Sequence, residues 1–208
     1  MTTQFRTVLL PSRAVPTEEE EAYFHALQAE QREKLRRKLE REAAEVAKLR
    51  ETAEASGTAD LALAERIRKL GFEGRAAEVL DLLPLVAVAW ADGKIQRGER
   101  TAILGALERR GIRRDHPGFQ LLEALLEERP GETYFGEALA VLRDLVAERG
   151  ADLSVPELCV EVARRSGGIL GTGIGNTIDP NERAVLEEIA EAFGPEGARR
   201  IRAALERD

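Results

Sequence analysis

The chain contains 208 residues, of which 33% are charged and 4% are aromatic, and its formal net charge is −7. This length suits one domain core with an extension, and the composition predicts a helical protein with an acidic surface. An acidic surface repels nucleic-acid phosphates, so nucleic-acid binding is not expected.

The sequence of residues 1–16 predicts a disordered tail. The sequence of residues 17–70 predicts a charged helical extension that follows this tail. The tail has two prolines and no periodicity, and its apolar run is too short for a signal-peptide core. The chain has one cysteine, which excludes a disulfide framework and predicts a cytoplasmic protein. Thr17 and Glu20 form a capping-box pattern, and helix-forming residues continue from there to about Ala55. A short second helix completes the extension.

Apolar residues recur at a roughly heptad spacing along the first helix. They are Leu35, Leu39, Val46, Leu49 and Ala53. Arg32 and Glu42 occupy seam positions where a coiled coil needs apolar residues. An extended, partly detached helix, or one that lies along its own bundle, is therefore favoured over a coiled-coil dimer. Self-association or partner docking through this helix stays open as an alternative, structural function.

Residues 71–208 predict a compact all-α bundle, because apolar residues recur at helical spacing and no segment shows the alternation of a strand. Within residues 75–90, Pro84 predicts a kink or a late helix start, since proline removes a backbone donor. Cys159 lies among apolar residues, which predicts a buried thiol. Further helices are expected over residues 97–110, 115–128, 131–148, 154–166, 180–193 and 196–206.

Two segments of this region share one pattern. WADGKIQRGER spans residues 90–100, and GIGNTIDPNER spans residues 173–183. Each segment has a turn, an isoleucine and then Glu-Arg, which brings Glu99 into register with Glu182. An internal repeat predicts that the domain consists of two related helix-loop-helix units.

Four carboxylates in these segments predict a site for a hard divalent cation, Ca²⁺ or Mg²⁺, whose preferred ligands are oxygens. They are Asp92, Glu99, Asp179 and Glu182. An EF-hand is disfavoured, because its two earlier acidic positions fall on Val88 and Trp90.

Helix capping accounts for the same carboxylates without a metal ion and is the favoured interpretation. Asp179 suits an N-cap followed by proline, and Glu182 suits the third helical position. Glu99 falls at the same third position, where the helix dipole stabilises a carboxylate.

No catalytic signature accompanies these carboxylates. The glycine-rich run GILGTGIG has neither a preceding strand nor a following Gly-Lys-Ser/Thr, so it does not match a phosphate-binding loop. His25 and His116 have no neighbouring partner suited to a catalytic triad or a metal pair. We therefore expect that the protein is not an enzyme.

The runs LLPLVAVAWADGKIQRGER and ARRSGGILGTGIGNTIDPNERAVLEEIAEAFG resemble the two halves of the tellurite-resistance TerB-like domain family, over about residues 71–208. The resemblance implies a helical bundle of two pseudo-symmetric halves. It also implies a non-enzymatic protein of the stress or tellurite response, which binds metal ions or a protein partner, or sits in a peripheral membrane-associated complex.

Residue by residue, the resemblance assigns the acidic loop position to Asp92 and the helix-opening acid to Glu99 and Glu182. Gly175 and Asn176 stand where a second Asp-Gly is expected. This difference argues against two equivalent ion sites.

Overall fold

The computed structural model describes residues 17–131, 133–150, 152, 154–166 and 178–206. The regular secondary structure of its described residues is helical, with no strand among them, which confirms the all-α class. The predicted disordered tail lies outside the described residues, as does the glycine-rich run. The helices are α1 (Glu18–Ser56), α2 (Leu61–Lys69), a 3-10 helix (Gly74–Leu82), α3 (Leu83–Ala89), α4 (Arg97–Arg109), α5 (Pro117–Glu127), α6 (Tyr134–Arg149), α7 (Ser154–Ser166), α8 (Pro180–Ala192) and α9 (Gly194–Leu205).

The chain divides into two compact units, residues 1–45 and residues 46–208. In the first unit, α1 begins with the capping box predicted at its N-terminus, where Glu20 accepts a hydrogen bond from the backbone N–H of Thr17. The side chains from this point to residue 45 are exposed or half-exposed. This part of α1 is therefore stabilised by local interactions, including i,i+4 ion pairs such as Arg37 with Glu33.

The second unit begins within α1, whose last turns are buried at Thr52, Ala53 and Ser56. Thr52 accepts a hydrogen bond from the backbone N–H of Gly74 at 2.8 Å. The next helix, α2, buries one face and packs on α6. Residues 46–70, which the sequence assigns to the extension, thus lie in the same compact unit as residues 71–208.

Helix α3 forms the centre of the second unit. All seven of its residues are buried, and it packs against α4, α5, α6, α7 and α8. Pro84 lies in its first turn, so the prediction of a late helix start is confirmed, and the preceding residues form the 3-10 helix instead. The apolar run around α3 is therefore a buried core helix, and within the described residues no helix is long and apolar enough to cross a membrane.

Two helix packings determine the surroundings of the predicted site. The first is that of α4 against α7, and the second is that of α8 against α6 and α9.

The predicted buried thiol is confirmed, because Cys159 in α7 is inaccessible to solvent and burial raises its pKa far above the ordinary value.

Candidate functional site

The first half of the candidate site is the start of α4 and the turn that precedes it. Gly93 has a φ of 86°, which is the left-handed conformation predicted for this turn. The Asp92 carboxylate accepts a hydrogen bond from the backbone N–H of Lys94 at 3.0 Å. At the third position of α4, the Glu99 carboxylate accepts one from the backbone N–H of Gln96 at 2.7 Å. Glu99 therefore holds the helix-opening role that its position predicts.

The second half is the start of α8, which repeats this local arrangement. The Asp179 carboxylate caps the helix by accepting a hydrogen bond from the backbone N–H of Asn181 at 2.8 Å. Glu182 at the third position accepts one from the backbone N–H of Asp179 at 2.9 Å. The predicted caps at both residues are confirmed.

Glu99 and Glu182, called the acidic pair below, are both buried. Each is only 1% exposed, although carboxylates are seldom buried without a charged partner. Removing a carboxylate from water is costly unless hydrogen bonds or opposite charges compensate for the lost hydration. For Glu99, capping supplies one backbone hydrogen bond, which leaves most of that cost uncompensated.

Burial, together with the negative charges of Glu182 and Asp92, raises the pKa of Glu99 to about 7 against the opposing effect of the hydrogen bond from Gln96. Asp92, Glu99 and Glu182 are therefore close enough for their charges to interact. Near neutral pH, Glu99 is therefore present in both its protonated and its ionised form, whereas an ordinary surface glutamate is ionised.

One oxygen of Glu99 has no hydrogen-bond partner among the residues that the structure describes. Its Oε2 atom accepts the backbone hydrogen bond, whereas its Oε1 atom is buried and unpaired. Buried polar atoms are almost always paired in folded proteins. An unpaired carboxylate oxygen beside a second buried carboxylate is suited to take up a proton or a cation.

The four carboxylates predicted from the sequence differ in their surroundings. Glu99 and Glu182 are buried, whereas Asp92 and Asp179 are half-exposed and each accepts a backbone hydrogen bond in its own turn. Among the described residues, no group of three or more His, Cys, Asp or Glu side chains is arranged to hold a metal ion. The four-carboxylate ligand set stays a prediction.

Gly98 is a site residue that sequence reasoning missed. A Cβ atom at this position would lie 3.2 Å from the backbone oxygen of Arg165, so glycine allows the first turn of α4 to pack directly on the last turn of α7. This packing covers the start of α4, beside Glu99. The signal was a glycine within a predicted helix, which often marks close approach of another backbone.

Trp90 and Arg100 hold the start of α4 to neighbouring structure. The indole N–H of Trp90, just before the turn, donates a hydrogen bond to the backbone oxygen of Leu125 at 2.8 Å. Arg100, next to Glu99, pairs with Glu123 and Glu127 of α5. Its charge is therefore directed to α5 and does not neutralise the acidic pair through an ion pair of its own.

A groove between α8 and α9 lies outside this site. Its volume is about 670 Å³, and the residues that line it include Leu186, Ala190 and Ile201. None of the four predicted carboxylates lines this groove. Glu99 is therefore not part of this groove.

Comparison of the chain with protein-family models, with curated proteins and with solved structures found no match.

Proposed function

We propose that this chain is a non-catalytic, TerB-like helical binding module whose acidic pair takes up a divalent cation, Ca²⁺ or Mg²⁺. The observation that supports this proposal is the unpaired, buried Oε1 atom of Glu99 beside a second buried carboxylate. A cation there neutralises charges that burial and mutual repulsion make costly.

The donor set fits a hard cation in its chemistry. Glu99 and Glu182 supply carboxylate oxygens, Asp92 adds negative potential, and backbone carbonyls or water complete the six to eight ligands that Ca²⁺ takes. Because only two carboxylates are buried there, we expect weak binding, with a dissociation constant on the order of 10⁻⁴ to 10⁻³ M.

Protons and cations compete for this site. Glu99, whose pKa is about 7, must lose its proton before it coordinates a metal ion. Cation binding therefore releases protons, and the affinity rises between pH 6 and pH 8. This pH dependence distinguishes the acidic pair from a weak site built of surface carboxylates, which are ionised throughout that range.

The test compares the wild-type chain with Glu99→Gln and with Glu20→Gln, the matched control, since Glu20 is an exposed glutamate at the third position of a capping box. The melting temperature and the heat of binding are measured with CaCl₂ and with MgCl₂ at pH 8 and pH 5.5. We expect saturable stabilisation of the wild type and of Glu20→Gln at pH 8, by mass action. It should be much smaller at pH 5.5 and absent in Glu99→Gln.

The proposal is wrong if neither ion stabilises the wild type at pH 8, or if both variants lose the effect equally. Proton release gives an independent measurement, because the apparent heat of binding then changes with the ionisation enthalpy of the buffer.

The wider role that we propose follows the TerB-like resemblance: a cytoplasmic stress-response protein that presents its cation-dependent surface to a protein partner, in a peripheral membrane-associated complex. A bacterial host challenged with tellurite tests this role. We expect the wild-type chain, but not an equally abundant Glu99→Gln variant, to raise survival. Equal survival with both variants would contradict a role for the site in tellurite resistance.

A further inference from the structure

The N-terminal part of α1 presents large apolar side chains to solvent. Tyr23, Phe24, Leu35 and Leu39 are 65%, 56%, 56% and 55% exposed. Soluble proteins seldom leave several such side chains exposed along one helix. Leu27, which is half-exposed, lies between the two groups and continues the stripe at helical spacing.

Four of these apolar residues are arranged symmetrically about Gln31. Leu27 and Leu35 lie four residues on either side of it, and Tyr23 and Leu39 lie eight residues on either side. When two copies of such a helix run antiparallel and cross at Gln31, these four residues form two kinds of level pair, Leu27 with Leu35 and Tyr23 with Leu39, whereas Phe24 comes level with Lys38. This is the self-complementary contact of a twofold axis.

The charges of the same segment are divided at Gln31. Residues 18–30 contain five glutamates and no Lys or Arg, whereas residues 32–44 contain six Lys or Arg and three glutamates. An antiparallel pair places the acidic half of each copy alongside the basic half of the other. A parallel pair would place like halves together and repel.

The ion pairs within α1 do not involve all of its charged side chains, so some of these side chains can pair with a second copy. Lys34, Arg36, Arg37 and Lys38 pair within α1 with exposed glutamates, in contacts that contribute little in water. Within the described residues, Arg41 and the glutamates at positions 18, 19 and 21 form no ion pair. In the antiparallel pair, Arg41 of one copy lies within one turn of these glutamates of the second copy.

We infer that residues 18–44 are a self-association surface on which a second copy of this chain docks antiparallel, with the crossing point at Gln31. Leu27 of each copy faces Leu35 of the other, and the charge division selects the antiparallel direction. The surface contains none of the residues of the acidic pair, so the inference is independent of the proposed cation site. It also differs from a parallel coiled coil, in which Arg32 and Glu42 would interrupt the seam.

The test uses the full chain and two charge-reversal variants. The basic variant carries Glu18→Lys, Glu19→Lys, Glu20→Lys and Glu21→Lys, and the acidic variant carries Arg36→Glu, Arg37→Glu, Lys38→Glu and Arg41→Glu. Sedimentation equilibrium should show a wild-type dimer that weakens as salt is raised from about 0.05 to 0.5 M. Each variant alone should be a monomer, and a mixture of the two should form the heterodimer. A variant that fails to fold cannot give this rescue.

The apolar contact is tested by Leu35→Arg, with Leu61→Arg as the matched control, because Leu61 is a similarly exposed leucine outside this surface. We expect Leu35→Arg to raise the dissociation constant of the dimer by about tenfold or more, because both copies carry the change and both Leu27–Leu35 contacts are lost. Leu61→Arg should leave the dissociation constant unchanged.

A spin label at Ala22→Cys measures the direction of the pair. The native Cys159 is buried and does not compete for the label. Residue 22 comes level with residue 40 of the second copy, so the two labels are offset by about 27 Å along the helix axis, at about 1.5 Å per residue. A wild-type monomer at 100 μM or more, a missing heterodimer, or a label separation near 10 Å would each overturn the inference.

Discussion

The starts of α1 and α4 contain the same capping geometry in opposite surroundings. Glu20 accepts a hydrogen bond from the backbone N–H of Thr17 at 2.9 Å, and Glu99 accepts one from that of Gln96 at 2.7 Å. Glu20 is exposed to solvent, whereas Glu99 is 1% exposed, retains an unpaired oxygen and has its pKa raised to about 7. Capping thus fixes the position of a carboxylate, whereas burial determines whether its pKa is raised and whether it can serve as a binding site.

The largest expected effect is that of Glu99→Gln. The pKa of Glu99 lies above its ordinary value of 4.5, so the folded chain binds this proton more tightly than the unfolded chain. The stabilisation that comes from this bound proton is fully present below about pH 4.5, and it is lost as the pH rises through 7. At about 1.4 kcal/mol per pKa unit, ionised Glu99 lowers the free energy of unfolding by roughly 3 kcal/mol.

Glu99→Gln should therefore be more stable than the wild type at pH 8, without added cations, by up to about 3 kcal/mol. Urea unfolding with a chelator present measures the difference, which should shrink to near zero at pH 4.5. Glu20→Gln should change stability by less than about 0.5 kcal/mol at both pH values. If the wild type is as stable as Glu99→Gln at pH 8, burial of the ionised Glu99 carboxylate does not lower the free energy of unfolding.

Gly98→Val should have the next largest effect. Its side chain meets the backbone oxygen of Arg165, so α4 must move away from α7. We expect a loss of roughly 1 to 3 kcal/mol, typical of overpacking. The control is Glu19→Val, which changes the corresponding second position of the exposed helix α1 and should cost less than about 1 kcal/mol. Similar losses in both variants would show that helix propensity, and not packing, is responsible.

The smallest expected effect is that of substitutions at His116, the buried residue that caps the N-terminus of α5 without a carboxylate. The His116 Nδ1 atom accepts a hydrogen bond from the backbone N–H of Gly118 at 3.1 Å and caps α5. His116→Ala should lower the free energy of unfolding by about 1 kcal/mol, and His116→Asn, which retains an acceptor, should lower it less. In the exposed cap of α1, Thr17→Ala should only increase amide hydrogen exchange in the first turn of that helix. Global destabilisation by Thr17→Ala would contradict this expectation.

Local sequence signals predicted the caps, and tertiary packing explains what they did not predict. Asp179, Pro180 and Glu182 fix the start of α8 within a few residues, so the spacing alone identifies it. The burial of Glu99 and Glu182 depends on α4 and α8 packing against helices that are distant in sequence. No pattern within one helix reports such packing, although Gly98 gave a partial signal.

The same distinction applies to the fold. Pro84 predicted the late start of α3, because a missing backbone donor is a local property. The 3-10 form of residues 74–82 is not evident from apolar spacing, since both helix types bury similar positions. The inclusion of residues 46–70 in the larger unit also depends on contacts with distant segments, including that of α2 with α6.

Trp90 gives this molecule a tryptophan fluorescence signal that comes from a single position, the edge of the turn before α4. It is the only tryptophan in the chain, it is half-buried, and it precedes Asp92 by two residues. Its indole N–H is held by the backbone oxygen of Leu125, so the ring is anchored at the edge of the turn that leads into α4. Fluorescence excited at 295 nm therefore comes from this turn alone, and a change in its emission reports movement beside the acidic pair without any attached dye.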